Sequence, residues 1–136
     1  MPLTAYIEKK ILDNVFSQVA MPAIATLYVG LSTTTPAGDG TGVTEPSCNA
    51  YARVAVTNNA TNFPAATGTT NGSKANGTTI TFPTATGAWG TVTYVVFYDA
   101  AAAGNLVAFG ALTTSKAISN LDTASFNASD FTITLT

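Results

Sequence analysis

Histidine is missing from the 136 residues, cysteine and tryptophan occur once each, and only 9% of positions are charged. Each shortage removes a class of function. Without imidazole the chain lacks the usual general base near neutral pH, the commonest metal ligand and every Ser-His or Cys-His nucleophile pair. Catalysis would have to rest on carboxylates or a lysine. A lone Cys48 cannot form an internal disulfide, so no covalent framework is expected. No apolar run approaches the ~20 residues that a bilayer crossing needs, and the first residues lack the basic start and continuous apolar stretch of a secretory signal. The chain is therefore expected to be made in a cytoplasm and to have no membrane partner. Its five basic residues, Lys9, Lys10, Arg53, Lys74 and Lys116, are scattered under a net charge of −2. They form no stripe for a row of phosphates, and direct nucleic-acid binding is not expected.

What is present favours contact over chemistry. Hydrophobic residues make up 46% of the chain, but many are alanine, so the core is expected to be thin. The charged fraction lies far below the roughly 25% of an ordinary soluble domain. Threonine, serine and asparagine must supply the solvent-facing polarity, and such a surface needs little charge desolvation when a neighbour covers it.

The segment "LTAYIEKKILDNVFSQVA" reads as an amphipathic helix capped by Thr4, with Ile7, Ile11, Leu12, Val15, Phe16 and Val19 recurring at spacings of three and four. It is expected to cover an edge or open face of the following sheet, or to reach a neighbouring subunit. After Pro22 the period becomes two. "ATLYVGLS", "AYARVAV", "GTTITF", "TVTYVVFYD", "NLVAFGALT", "KAIS", "TASFN" and "FTITLT" read as short strands, with residues 91–113 a hairpin and Tyr94–Tyr98 central because it is apolar on both faces. The fold class is thus all-β: an antiparallel β-sandwich, jelly-roll-like, with one N-terminal amphipathic helix. Residues 1–22 form helix and linker, and residues 23–136 the sandwich. Two connections, 32–48 and 57–76, exceed the ~12–15 residues usual in compact domains and are where function is expected.

No catalytic, cofactor or metal site emerges. The carboxylates Glu8, Asp13, Asp39, Glu45, Asp99, Asp122 and Asp130 form no recognisable motif. "GDGTG" with Asp39, near Glu45, can be read as a calcium loop, but it lacks EF-hand spacing and suits a tight surface turn. Cys48 is a small filler or a thiol that meets a symmetry mate, and Trp89, between glycines, is a core or interface anchor. The interface candidates are Ile7, Ile11, Val15, Phe16, Asp39, Glu45, Cys48, Phe63 and Trp89.

"ATLYVGLSTTTPAGDGTGVTEPS", "YARVAVTNNATNFPAATG", "NGTTITFPTATGAWGTVTYVVFYDA" and "GNLVAFGALTTSKAI", together with the "YIEKKILDNVF" helix, resemble a family of small virion structural proteins of tailed bacteriophages, often labelled tail fibre proteins. The resemblance implies a non-enzymatic virion protein without cofactor. Its favoured form is a capsid decoration or cement protein, a homo-oligomer and specifically a trimer, bridging major capsid protein subunits through long loops. The alternative is a tail or tail-fibre component that binds host glycan on Trp89, Tyr51 or Tyr98. A small carboxylate hydrolase is a third reading.

Overall fold

A computed structural model describes residues 1–135. Its one helix, α1 (Ala5–Ser17), follows Thr4 and stops at Gln18, which turns left-handed at φ 55° while its N–H bonds the Asp13 carbonyl. The expected Thr4 side-chain cap is not made. The Thr4 hydroxyl instead donates to the Leu106 carbonyl in the body, and the first helical N–H, that of Ala5, finds the Gly38 carbonyl at 2.8 Å.

The alternating segments form eight antiparallel strands: β1 (Thr26–Ser32), β2 (Val54–Thr57), β3 (Gly72–Ala75), β4 (Ile80–Thr81), β5 (Gly90–Tyr98), β6 (Leu106–Ile118), β7 (Ser125–Phe126) and β8 (Thr132–Leu135). The main sheet has the order β2-β1-β5-β6, with β3-β8 and β4-β7 as two-stranded ribbons. The chain is therefore mostly β with one N-terminal helix, as its periodicity predicts. One four-stranded sheet facing two ribbons is a lopsided sandwich, short of the two matched sheets of a jelly roll.

The core joins these layers. Val29 and Leu31 of β1, Val92, Val95 and Phe97 of β5 and Ala108 of β6 pack with Ile80, Phe82 and Phe131 from the ribbons. An aromatic edge locks the contact, with Phe97 of β5 nearly perpendicular to Phe131 at 5.4 Å, while Phe82 and Phe126 pack 6.2 Å apart within the β4–β7 ribbon. Buried Asn76 ties the ribbons together by donating to the carbonyls of Thr78 and Asn127 and accepting from the Phe131 N–H. The opposite face of the sheet carries a smaller cluster, Val96, Tyr98 and Leu106, with Val43 packed on it.

Three expectations change. The strand expected over "AYARVAV" begins only at Val54, because the side chains of Tyr51 and Arg53 turn back to bond β1 and Glu45. "NLVAFGALT" and "KAIS" are one continuous strand, β6, and not two. The connection 57–76 contains β3, a polar strand that its backbone pairing with β8 creates.

Candidate functional site

The connection 32–48, expected to reach outward, folds back over the sheet, and residues 49–53 follow it. Ser32 Oγ accepts the N–H of Thr44, Thr34 donates through Oγ1 to the Gly42 carbonyl at 2.6 Å, and Thr33 N–H bonds the Thr44 carbonyl. Asp39 makes a tight turn, accepting from the N–H and hydroxyl of Thr41, and these bonds hold its carboxyl below the usual range. That is the turn chemistry of an Asp among glycines, and among the described residues no group of three or more His, Cys, Asp or Glu side chains is placed to hold a metal ion.

The densest polar cluster is a clasp. Arg53 grips Glu45 through Nε at 3.0 Å and Nη2 at 2.6 Å, donates through Nη1 to the carbonyls of Ala100 and Ala103 at 2.8 Å, and stacks 3.5 Å over the Tyr98 ring. Tyr51 donates to Glu45 at 2.7 Å and accepts the Leu31 N–H at 2.8 Å. Burial pushes the Tyr51 and Tyr98 phenols up; burial acts to lower Arg53, but Glu45 together with Tyr98 and Tyr51 outweighs it and strengthens the guanidinium's hold on its proton. Gly30 permits this approach, since a Cβ there would lie 2.6 Å from Glu45 Oε1. The clasp ties the segment 33–53 to the β5–β6 turn. Both oxygens of Glu45 are taken up by Arg53 and Tyr51 of its own chain.

The remaining interface candidates separate by burial. Ile7, Phe63 and Trp89 lie in the core, at 4–5% exposure, and offer no surface to a partner. Trp89 meets Tyr51 edge-on at 5.2 Å and donates its indole N–H to the Asn49 carbonyl. The exposed aromatic groove expected for glycan is therefore absent at these residues: Trp89 and Tyr98 are buried, and the Tyr51 hydroxyl is committed to Glu45. Cys48 is exposed and free. Ile11 is half-buried, whereas Val15 is 61% and Phe16 79% exposed.

Those last residues define a surface. Ile7, Ile11 and Val15 form one spine along α1, and its burial fails from the first turn to the last because the helix leaves the body after its start. Leu12, Val15 and Phe16 stand uncovered on the helix, while Val19 and Met21, past the left-handed Gln18, are exposed beside Lys10 and Asp13. Sequence periodicity finds this stripe but not that it stays open.

A second surface was not foreseen. Tyr94 pairs Ala111 and Val92 pairs Lys116, so Leu112–Ser115 bulge out opposite Thr93 alone. Between this bulge and residues 122–131 lies a cleft of about 840 Å³, with Leu31, Val92, Val95 and Phe131 on its floor and Lys116, Asp122 and Asp130 at its rim. The N-terminal residues cover the outer edge of β6 only as far as Gly110, through the Leu3–Ala108 bridge and the Phe109 N–H bond to Pro2. Only the unusually wide gap between two apolar strands' pairing partners could have signalled the cleft, and one sequence does not record pairings.

A β body with a projecting apolar helix is the geometry that the comparison with known families has to account for. The chain belongs to the family described as podophage GP4 fiber I protein gp80, whose family model matches residues 2–134. A search of curated proteins finds no match. The chain is thus a phage virion structural protein of a fibre family, and among the described residues no helix is long and apolar enough to cross a membrane.

Proposed function

We propose that this chain is a non-enzymatic building block of a phage tail fibre, a small rigid β body fastened to its neighbours by the projecting end of α1. The observation that carries this reading is the uncovered stripe of Leu12, Val15 and Phe16 on an otherwise charge-poor surface. A single exposed apolar residue is ordinary, but a contiguous group on one helix marks an interaction surface. The missing histidine and the engagement of Glu45 by Arg53 and Tyr51 support the non-enzymatic part. The fibre description of the family supports the tail over the capsid surface, and over a trimeric cement contact with major capsid protein.

Imaging of phage particles with and without the gene product tests the assignment. Density lost from the tail, with slower adsorption and heads of unchanged heat resistance, is the expected result. Density lost from the head, with heads that burst at lower temperature, would replace it with the cement reading. Particles assembled with Phe16→Asp are expected to lack the protein.

A further inference from the structure

An asparagine or aspartate followed by glycine can cyclise, because glycine has no Cβ to shield its peptide nitrogen from the side-chain carbonyl carbon just before it. The sequence holds three such pairs, Asp39–Gly40, Asn71–Gly72 and Asn76–Gly77. We propose that Asn71 is a site of spontaneous deamidation, converting to aspartate and isoaspartate in the folded protein while Asn76 and Asp39 stay intact.

The step consumes only water. The Gly72 nitrogen bonds to Asn71 Cγ, the bond from Cγ to the amide nitrogen breaks, and the Gly72 proton leaves with that nitrogen as ammonia. Water then opens the succinimide ring at either carbonyl. Opening at the side-chain carbonyl gives aspartate, and opening at the backbone carbonyl gives isoaspartate, which lengthens the main chain by a methylene at the entrance to β3. Both products add a negative charge to a chain whose net charge is −2.

The fold holds two of the pairs and leaves the third loose. Asn76 is 2% exposed, its amide donates to the Thr78 and Asn127 carbonyls, and its oxygen accepts the Phe131 N–H. The Gly77 nitrogen that would attack it is bonded to the Asn62 carbonyl at 2.7 Å. Asp39 Oδ1 accepts from the N–H and hydroxyl of Thr41, and the Gly40 N–H bonds the Ala37 carbonyl at 3.0 Å. In both pairs the reacting atoms are tied to other partners, and those bonds must break before a ring can close. Asn71 instead lies in the exposed tip 68–72, closed at its base by reciprocal 2.7 Å backbone bonds between Thr67 and Ser73. Among the described residues its side chain makes no hydrogen bond. Gly72, also exposed, pairs Leu135 at the end of the β3–β8 ribbon, where pairing opens first. Proteins built into a particle are not renewed, so under the fibre reading the change accumulates as the particle ages. The chemistry itself does not depend on that reading.

Purified protein, native and unfolded in guanidinium, is incubated in mildly alkaline heavy-oxygen water until the unfolded chain has converted at both asparagines. Trypsin cuts after Lys74, which lies between them, so mass mapping reads each one separately. In the native protein the peptide ending at Lys74 is expected to carry the new acid with heavy oxygen, mostly as isoaspartate, with conversion at Asn76 lower by an order of magnitude or more. A Cβ at Gly72 would meet open space, so Gly72→Ala keeps the fold and is expected to slow conversion at Asn71 by about an order of magnitude. Native protein in which Asn71 keeps its amide overturns the proposal. Equal conversion of Asn71 and Asn76 does so too, since the fold would then protect neither, as does a Gly72→Ala variant that converts as fast as wild type.

Discussion

The β5–β6 hairpin is sealed at one end and open at the other. At the turn end, the Arg53 guanidinium covers Tyr98, Asp99 receives both the N–H and the side-chain amide of Asn105 together with the Tyr6 hydroxyl, and the start of α1 is bonded to Leu106 and Val107. At the far end the same two strands separate around Leu112–Ser115, and the core looks out through the cleft. Strand propensity does not distinguish the two ends. What differs is whether a polar side chain from a distant segment arrives to hold a cover in place, and "LTTSKA" attracts none.

Substitutions at each end sharpen that contrast. The largest effect is expected from Phe97→Ala, which empties the space beside Phe131 under the sealed end and costs about 3–5 kcal/mol, read by urea unfolding. Arg53→Ala follows at about 3 kcal/mol, because Glu45 is left without its counter-charge and two carbonyls without their donor. A loss under 1 kcal/mol would mean that the clasp is dispensable and the sealed end is held by packing alone. Asp99 comes third. Burial acts to raise its carboxyl, yet the bonds from Asn105 and Tyr6 outweigh this and hold it below its ordinary 3.8. Its contribution is complete above that pH and is lost as the pH falls through the lowered value, so Asp99→Asn is expected to cost roughly 1 kcal/mol at pH 7 and to narrow the gap to wild type in acid. The smallest effect is expected at the open end, where exposed Thr114→Ala changes stability by less than about 0.5 kcal/mol. A larger cost would show that the bulge is itself a structural tie.

The helix, β1 and the β5–β6 hairpin were legible because their apolar periods are strong and local. Val29 and Leu31 alternate onto the core face, and Tyr94–Tyr98 is apolar on both faces because both are covered, Val95 and Phe97 by the main core and Val96 and Tyr98 by the smaller cluster. β3 was not legible: Gly72, Ser73, Lys74 and Ala75 carry no strand pattern of their own, and β8 supplies their pairing from across the chain. The return of segment 33–53 was also hidden. Glu45 looked like a loop carboxylate free to meet a partner, and only the folded chain brings Arg53, the single arginine, to it. Phe16 shows the reverse case: its place on the apolar stripe was plain from spacing, but its exposure depends on the angle at which α1 leaves the body. The cleft depends on which residues pair across β5 and β6, and a lone sequence is silent on that.

Cys48, set in the exposed turn before Asn49, is the only thiol and belongs to neither the helix stripe nor the cleft. A gold cluster or fluorophore attached there would mark one point on the β body while leaving the helix stripe and the cleft bare. The positions of such marks on a particle would then show directly where in the virion the body sits.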